Sequence, residues 1–324
     1  ADIMDKIKQT NIDFFKSALT KDSGLNSNTD ISAWIKTIKN DVATRVKQIP
    51  LDKMRLWTFD EATGNVVHQS GSFYSIEGVR IDTNWGNVPT WEQPIINQPE
   101  IGLLGFMVKK FNGILHFLVQ AKIEPGNLNY VQVSPTIQAT KSNYTRVHKG
   151  KLPHFLEYFN GDKTVKILVD QLQSEQGARF LRKRNRNIIV EVSEKEKINI
   201  PDNFIWITLG QLKELIKGDN LVNMDTRTVL SNIPFGSYGS DVLQYFLALS
   251  SMDDHTKHLM HSMQNSEIYL NDFDQIISWI TKLKSQYDLK VTRTPLQTVS
   301  GWENDGSSIY HKDKKYFSVV GVQV

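Results

Sequence analysis

The feature that most restricts this chain is one order of residues repeated at its two ends. Near the start, Ile31, Trp34, Ile35, Ile38, Val42 and Val46 keep helical spacing on one face, after the capping candidates Asn28 and Asp30. Pro50-Leu51, Trp57, His68 and a strand-like run from Phe73 to Ile81 follow. Near the end, Ile276, Trp279, Ile280, Leu283 and Tyr287 form a helix face after Asn271-Asp272. Pro295-Leu296, Trp302, His311 and the run from Tyr316 to Val324 then follow in the same order. Trp34 and Trp279 lie 245 positions apart, as do Pro50 and Pro295; His68 and His311 lie 243 apart, which a two-residue deletion in the intervening turn explains. FYSIEGVRI sits over YFSVVGVQV with serine and glycine in place. The chain therefore reads as one full repeat of about 240 residues and the opening of another of about fifty. Either the product is truncated or a short second copy covers an edge of the first, and a strand stopping at Val324 favours truncation.

Between the repeated ends, residues 101–108 and 113–123 read as strands joined by Asn112-Gly113, the strongest short hairpin signal. Glu124-Pro125-Gly126-Asn127 is a turn, and Tyr130 to Val133 a short strand. Thr164 to Gln176 reads helical and ends at Gly177. Asn187 to Val192 and Phe204 to Ile207 are strands, and Leu209 to Ile216 a short helix. Residues 231–240 form a linker, and Val242 to Met263 a helical arm. Strands and helices mix without regular βαβ alternation, so the class is α+β rather than a doubly wound sheet.

Composition narrows the chemistry. The absence of cysteine excludes disulfides, thiolate metal sites, iron–sulfur ligation and a cysteine nucleophile. A net charge of +3 is too small for a nucleic-acid binder but suits an anionic small ligand. No apolar run approaches the roughly 18 residues of a membrane span, and the opening ADIMDKIKQT lacks a signal peptide's apolar core, so the expectation is a soluble cytoplasmic protein. There is no dinucleotide glycine fingerprint and no P-loop. His255, His258 and His261 repeat every three residues and drift round a helix, which favours a helix surface over a metal site.

Three stretches concentrate polar chemistry. In the first, Gln132, Ser134, Thr136, Gln138 and Thr140 fall at a spacing of two, which in a single strand puts all five on one face. That row suits a polyhydroxylated ligand, or is the wet face of an antiparallel sheet. Tyr144, Arg146 and His148 continue the spacing with groups that move protons or hold anions. In the second, Arg179, Arg182, Lys183, Arg184 and Arg186 cluster with Asn185 and Asn187, a set whose guanidinium forks suit a diphosphate. In the third, LVNMDTRTVL, Asp225 and Arg227 read by default as a structural ion pair.

Together these stretches resemble the NDP-hexose 2,3-dehydratase family. The resemblance rests on QPEIGLLGF (98–106), EPGN (124–127), SPTIQATKSNYTRVHKG (134–150), FLEYF (155–159), SEQGARFLRKRNRN (174–187) and VNMDTRTVLS (222–231). It implies two tandem Nudix-like units, assembly as a homodimer, and action on dTDP-4-keto-6-deoxyglucose in deoxysugar biosynthesis. The chain lacks an RExxEE-type acidic helix, so a Nudix fold without Nudix hydrolysis is expected. The implied organisation is an N-terminal helical segment (1–28), a complete Nudix-like mixed-sheet unit flanked by helices (29–240), a helical arm (241–271) and the start of a second unit (272–324).

The implied reaction removes water across C2–C3 of a 4-keto sugar. It needs a base at C3, a donor for the enolate oxygen and an acid for the C2 hydroxyl, and it needs no metal or redox cofactor. The resemblance points to His148 as base, Tyr144 as donor and Glu124 as the alternative acid or base. Gln98, Gln138 and Thr140 would hold sugar hydroxyls, and Arg146, Lys183, Arg184 and Arg186 the diphosphate, with Asn185, Asn223 and Arg227 on the nucleotide. The plain alternatives are that His148 caps a loop, Tyr144 sits in the core and Glu124 shapes its turn. The rival function is a catalytically silent nucleotide-sugar-binding or scaffold protein.

Overall fold

A computed structural model describes residues 3–41, 45–145, 151–235, 244, 246–248, 253–264 and 270–324. The helices are α1 (Ile3–Leu19), α2 (Asn28–Asp41), α3 (Lys141–Tyr144), α4 (Leu209–Ile216), α5 (Met224–Leu230), α6 (Asp254–Gln264) and α7 (Phe273–Gln286). The strands are β1 (Lys47–Ile49), β2 (Trp57–Phe59), β3 (Val66–His68), β4 (Ser75–Thr83), β5 (Thr90–Asn97), β6 (Gly102–Phe111), β7 (Ile114–Ile123), β8 (Val131–Ser134) and β9 (Ile137–Ala139), followed by β10 (Lys166–Ser174), β11 (Arg184–Glu191), β12 (Phe204–Thr208), β13 (Leu289–Thr294), β14 (Trp302–Asn304), β15 (Ser308–His311) and β16 (Ser318–Gln323). The architecture is mixed α+β. Two compact units share the chain discontinuously: Ala1–Ala43, Gly102–Gln173 and Asn185–Tyr269 make one, and Thr44–Ile101, Ser174–Arg184 and Leu270–Val324 the other.

The first unit is a seven-stranded sheet with the order β10-β11-β6-β7-β12, joined by β8 on β7 and β9 on β6. The β6–β7 hairpin turns at Asn112 (φ 51°) and Gly113 (φ 77°), the pair of positive angles its sequence signals. Alternation along β6 sends Leu104, Phe106 and Val108 into one core with Phe14, Phe117, Ile207 and Leu209, and Leu103 and Met107 into another with Leu118, Phe155, Phe204 and Trp206. The sheet is thus buried on both faces, which is why β6 and β7 read as near-continuous apolar runs. Helix α4 opens on a capping box: the Thr208 side chain accepts from Gln211 N while the Gln211 side chain accepts from Thr208 N. At the start of α2 the reciprocal bonds run between Ser27 and Asp30; of the expected helix face, Val42 lies outside the described residues and Val46 is not helical.

The polar row does not lie on one strand. Proline cannot continue a ladder, and at Pro135 the chain changes partner. β8 runs in along β7 (Ile123↔Val131, Gln120↔Ser134), and β9 returns along β6 (Gly105↔Ile137, Leu103↔Ala139). β6 and β7 therefore part as a fork, with Thr136 at its apex. Thr136, 1% exposed, accepts a hydrogen bond from Met107 N and donates one to Leu118 O, tying both prongs. The expected helix over 164–176 is instead the edge strand β10, beside β11. A short apolar run has no decisive period, and sheet pairing overrides its helical tendency.

The second unit explains the repeat geometrically. β13 lies antiparallel to β4 (Thr294↔Gly78), and β1 lies antiparallel to β16 (Ile49↔Gly321). One sheet takes the order β13-β4-β3-β2 and the other β1-β16-β15-β14. Each repeated segment thus gives its first strand to the sheet of the other. Trp57 faces His68 across β2–β3, and Trp302 faces His311 across β14–β15, with ring centroids 5.1 and 5.4 Å apart at 79° and 80°. Asp52 N bonds Gly306 O while Gln297 N bonds Thr63 O, again a matched pair. The recurring glycine has a packing reason. A Cβ on Gly78 would meet Val299 at 2.4 Å, and one on Gly321 would meet Met54 at 2.6 Å. A shared core of Leu51, Val66, Ile76, Leu296, Val299 and Ile309 draws on both segments.

Candidate functional site

Three of the motifs converge in the first unit. Glu124 follows β7 in a turn whose backbone is pinned by Glu124 N to Tyr130 O (2.9 Å) and Asn127 N to Glu124 O (3.1 Å). Gln138 projects from β9, Ser134 ends β8, and Asn223 caps α5. Asn223 Nδ2 lies 3.1 Å from Glu124 Oε1, 3.0 Å from Ser134 Oγ and 3.0 Å from Gln138 Oε1. Gln138 Nε2 donates to Glu124 Oε2 at 3.1 Å. The two hydrogens of Asn223 Nδ2 are thus shared among three acceptors, Glu124 Oε1 among them, while Gln138 donates to the other carboxylate oxygen. Asn223 is 3% exposed and Ser134 fully buried, while Glu124 and Gln138 are half-buried.

Gln138 also lines a cavity of about 260 Å³ in the same unit, with Gln120, Lys122, Ser142, Asn143, Lys151 and His154 among its walls. The His154 ring packs edge-on to Phe204 at 5.7 Å, leaving an exposed imidazole on the cavity wall. Sequence reasoning passed over His154. Its one signal was its place in the polar stretch running to Tyr158. His116, on β7, is structural. Its Nδ1 faces Ile114 O at 2.9 Å and its Nε2 faces Ser23 Oγ at 2.7 Å, and burial lowers its pKa from 6.5.

The remaining expected site residues are dispersed. Thr140 precedes α3 and has a buried Oγ1 without a hydrogen-bond partner; Tyr144 ends α3 half-buried, against the core that contains Phe155 and Trp206. Arg146 and His148 lie outside the described residues. Arg186 grips Asp170 bidentately at 2.8 and 2.7 Å, which holds the Asp170 carboxyl below its usual range. Asn185 is buried, its Oδ1 2.5 Å from where a Gly102 Cβ would stand. Arg227 directs its guanidinium to the carbonyls of Ile216 (2.9 Å) and Val222 (3.4 Å). In the second unit Lys183 is 5% exposed, its ammonium donating to Glu100 O, and burial lowers its pKa. Arg184 is exposed there and Gln98 half-buried. No cluster of three potential metal ligands occurs among the described residues, and His255, His258 and His261 are exposed on α6.

The second unit holds a cavity of its own, about 530 Å³, walled by Trp91, Trp302, His311, Tyr316, Phe317 and Arg179. The Arg179 guanidinium stacks 4.2 Å over the Phe317 ring. Aromatic faces with an arginine suit a planar, anionic ligand.

The model of the NDP-hexose 2,3-dehydratase family matches residues 28–233 and 273–324, and the chain belongs to that family. It is 43% identical over 311 residues to a dTDP-4-dehydro-6-deoxy-alpha-D-glucopyranose 2,3-dehydratase of Saccharopolyspora spinosa, covering 96% of this chain and 63% of the relative. It is 40% identical to the enzyme of the same name from Amycolatopsis orientalis, over 95% of this chain and 60% of that one. The chain thus spans about three-fifths of the length of these relatives. Among solved structures, a C. elegans Ap4A hydrolase is similar over 47% of this chain and 100% of its own, at a TM-score of 0.27 and 14% identity. An ADP compounds hydrolase is similar over 63% of this chain and 91% of its own, at 0.29 and 9%. No helix among the described residues is long and apolar enough to cross a membrane.

Proposed function

We propose that the chain eliminates water across C2–C3 of dTDP-4-keto-6-deoxyglucose, with Glu124 as the acid–base group. The observation that carries this is the meeting of Glu124, Gln138, Ser134 and Asn223, which come from three separate stretches of sequence. Glu124 takes the C3 proton, which the C4 ketone acidifies, and the electron pair forms the enolate. Collapse of the enolate restores the C4 ketone, makes the C2–C3 double bond and expels the C2 hydroxyl, which leaves as water after gaining a proton. In this reading Lys122 and His154, which line the cavity beside Gln138, donate to the enolate oxygen and the leaving hydroxyl.

The matched Trp–His pairs and exchanged strands support reading the two ends as a tandem duplication of Nudix-like units. Family resemblance supports a cytoplasmic homodimer, which sedimentation and fractionation measure. The functional test is incubation of the chain with dTDP-4-keto-6-deoxyglucose, following loss of water by mass spectrometry. Turnover that disappears in Glu124→Gln is expected. Tight dTDP binding without turnover favours the silent binder, a reading motivated by the three-fifths coverage of the relatives. No dTDP binding overturns both.

A further inference from the structure

We infer that Asn223 is a positioning residue whose helix-capping bond fixes the direction of the Glu124 carboxylate; this rests on the reading of Glu124 as the acid–base group. An asparagine side chain can present its oxygen and nitrogen in either sense, and only its partners decide which. Here the decision is made by backbone. Asn223 Oδ1 accepts the hydrogen bond of Thr226 N at 2.8 Å, as the N-cap of α5. Its Nδ2 must then face away from the helix and donate. Gln138 can meet that donor only with Oε1, so Gln138 Nε2 is turned to Glu124 Oε2. Glu124 Oε1 receives Asn223 itself. One backbone N–H thus orients two amides in series, and the two amides hold both oxygens of the carboxylate.

The anchor is rigid. Asn223 N bonds Val133 O and Val133 N bonds Leu221 O, both at 2.9 Å, and Thr226 Oγ1 bonds the same Val133 carbonyl at 3.2 Å. The cap is stitched to β8 at the prong that carries Ser134. Glu124, by contrast, comes from a turn between β7 and β8, and its side chain gains its direction from these amides. A displacement of about 1 Å in a reacting group lowers rate on the order of a hundredfold. Asn223 does not line the cavity beside Gln138.

The variant that separates positioning from capping is Asn223→Ser. Serine caps a helix as well as asparagine does, but its short hydroxyl has no second group to carry the orientation onward. We expect the variant to fold, with a thermal midpoint within a few degrees of the parent, and kcat to fall roughly 10- to 100-fold with KM changed less than about threefold. In the same chain labelled with ¹⁵N-glutamine, the Gln138 side-chain NH₂, assigned by Gln138→Ala, is expected to be slow to exchange in the parent. In Asn223→Ser it should merge with the exposed glutamines. The spectroscopic readout needs no turnover. An Asn223→Ser protein that folds, keeps the parental Gln138 signal and loses no kcat overturns the inference, whatever Glu124→Gln does. Full turnover in Glu124→Gln, with the Gln138 signal still dependent on Asn223, overturns the acid–base reading and leaves the orienting relay standing as structure. Asn223→Asp, which keeps the cap but sets an oxygen against Glu124 and Gln138, is expected to lose the Gln138 signal too; retention there also overturns it.

Discussion

Thr136→Val tests whether the fork that carries Gln138 depends on a single hydroxyl. Valine has nearly the same shape, so packing at this site is conserved while both hydrogen bonds vanish. Thr136 is 1% exposed, and its partners Met107 N and Leu118 O belong to residues with no exposure at all, so water cannot replace it. Each buried group left without a partner costs about 1–3 kcal/mol. Two such groups, the Met107 donor and the Leu118 acceptor, bring the expected loss to about 2–6 kcal/mol. Relaxation of the prongs toward each other sets the lower end of that range. Urea unfolding followed by tryptophan fluorescence measures the loss as a fall in midpoint at constant slope. Thr136→Ser, which keeps the hydroxyl, should retain more than half of the difference. A loss below about 0.5 kcal/mol in the valine variant would refute the reasoning, because it would mean that the fork apex closes without its hydroxyl.

Gly210→Ala should destabilise the chain by about 2 kcal/mol or more, since the new Cβ would stand 2.4 Å from Thr20 O and 2.7 Å from Ala18 O, backbone atoms that cannot rotate away; thermal unfolding measures it. His116 has a folded pKa below its ordinary 6.5, so its contribution is complete above that value and is lost as pH falls below it. A stability profile from pH 7.5 to 5 should therefore slope downward in the parent and less so in His116→Gln. Lys183 is buried with its pKa lowered, so the charged form is disfavoured in the fold at neutral pH and that penalty fades as pH rises toward 10.5. Lys183→Met is accordingly expected to fold and to bind dTDP as the parent does by titration calorimetry, whereas loss of binding would return the ammonium to the diphosphate.

What the sequence makes legible follows from how local each cause is. The Asn112-Gly113 turn, the capping box of α4 and the Asp272 cap of α7 are written within a few residues, and each forms where its residues stand. The polar row from Gln132 to Thr140 is different. Its spacing of two is real, but a spacing reports one strand's faces only while the strand keeps one neighbour, and Pro135 ends that condition. Ser134 and Gln138 do meet at the Asn223 side chain, but they do so from opposite prongs. Glu124 and Asn223 were legible as residues of interest and illegible as partners: 99 positions separate them, and only the sheet brings them to 3.1 Å. The basic run from Arg179 to Arg186 looks uniform in sequence. The fold gives its members different tasks: Arg179 on an aromatic ring, Lys183 inside, Arg186 on Asp170.

The repeat, the strongest signal in the sequence, gains its physical meaning from strand exchange. Residues 289–294 pair along β4 from Gly78 to Thr83, and the core they close contains Leu296, Val299 and Ile309 beside Leu51, Val66 and Ile76. Residues 270–324 are therefore structural complements of residues 44–101 and not an appendage. Removing them uncovers six ladder positions on β4 and half of that core, and an open apolar edge of this kind invites association. A chain ending at residue 269 is expected to lose the protection of β4 amides in hydrogen exchange and to aggregate, while amides of β6 and β7, paired within the other unit, stay protected. Protection of β4 equal to that of the full chain would show that the first copy folds without the second. The exchange of first strands would then add nothing to the folding of residues 44–101.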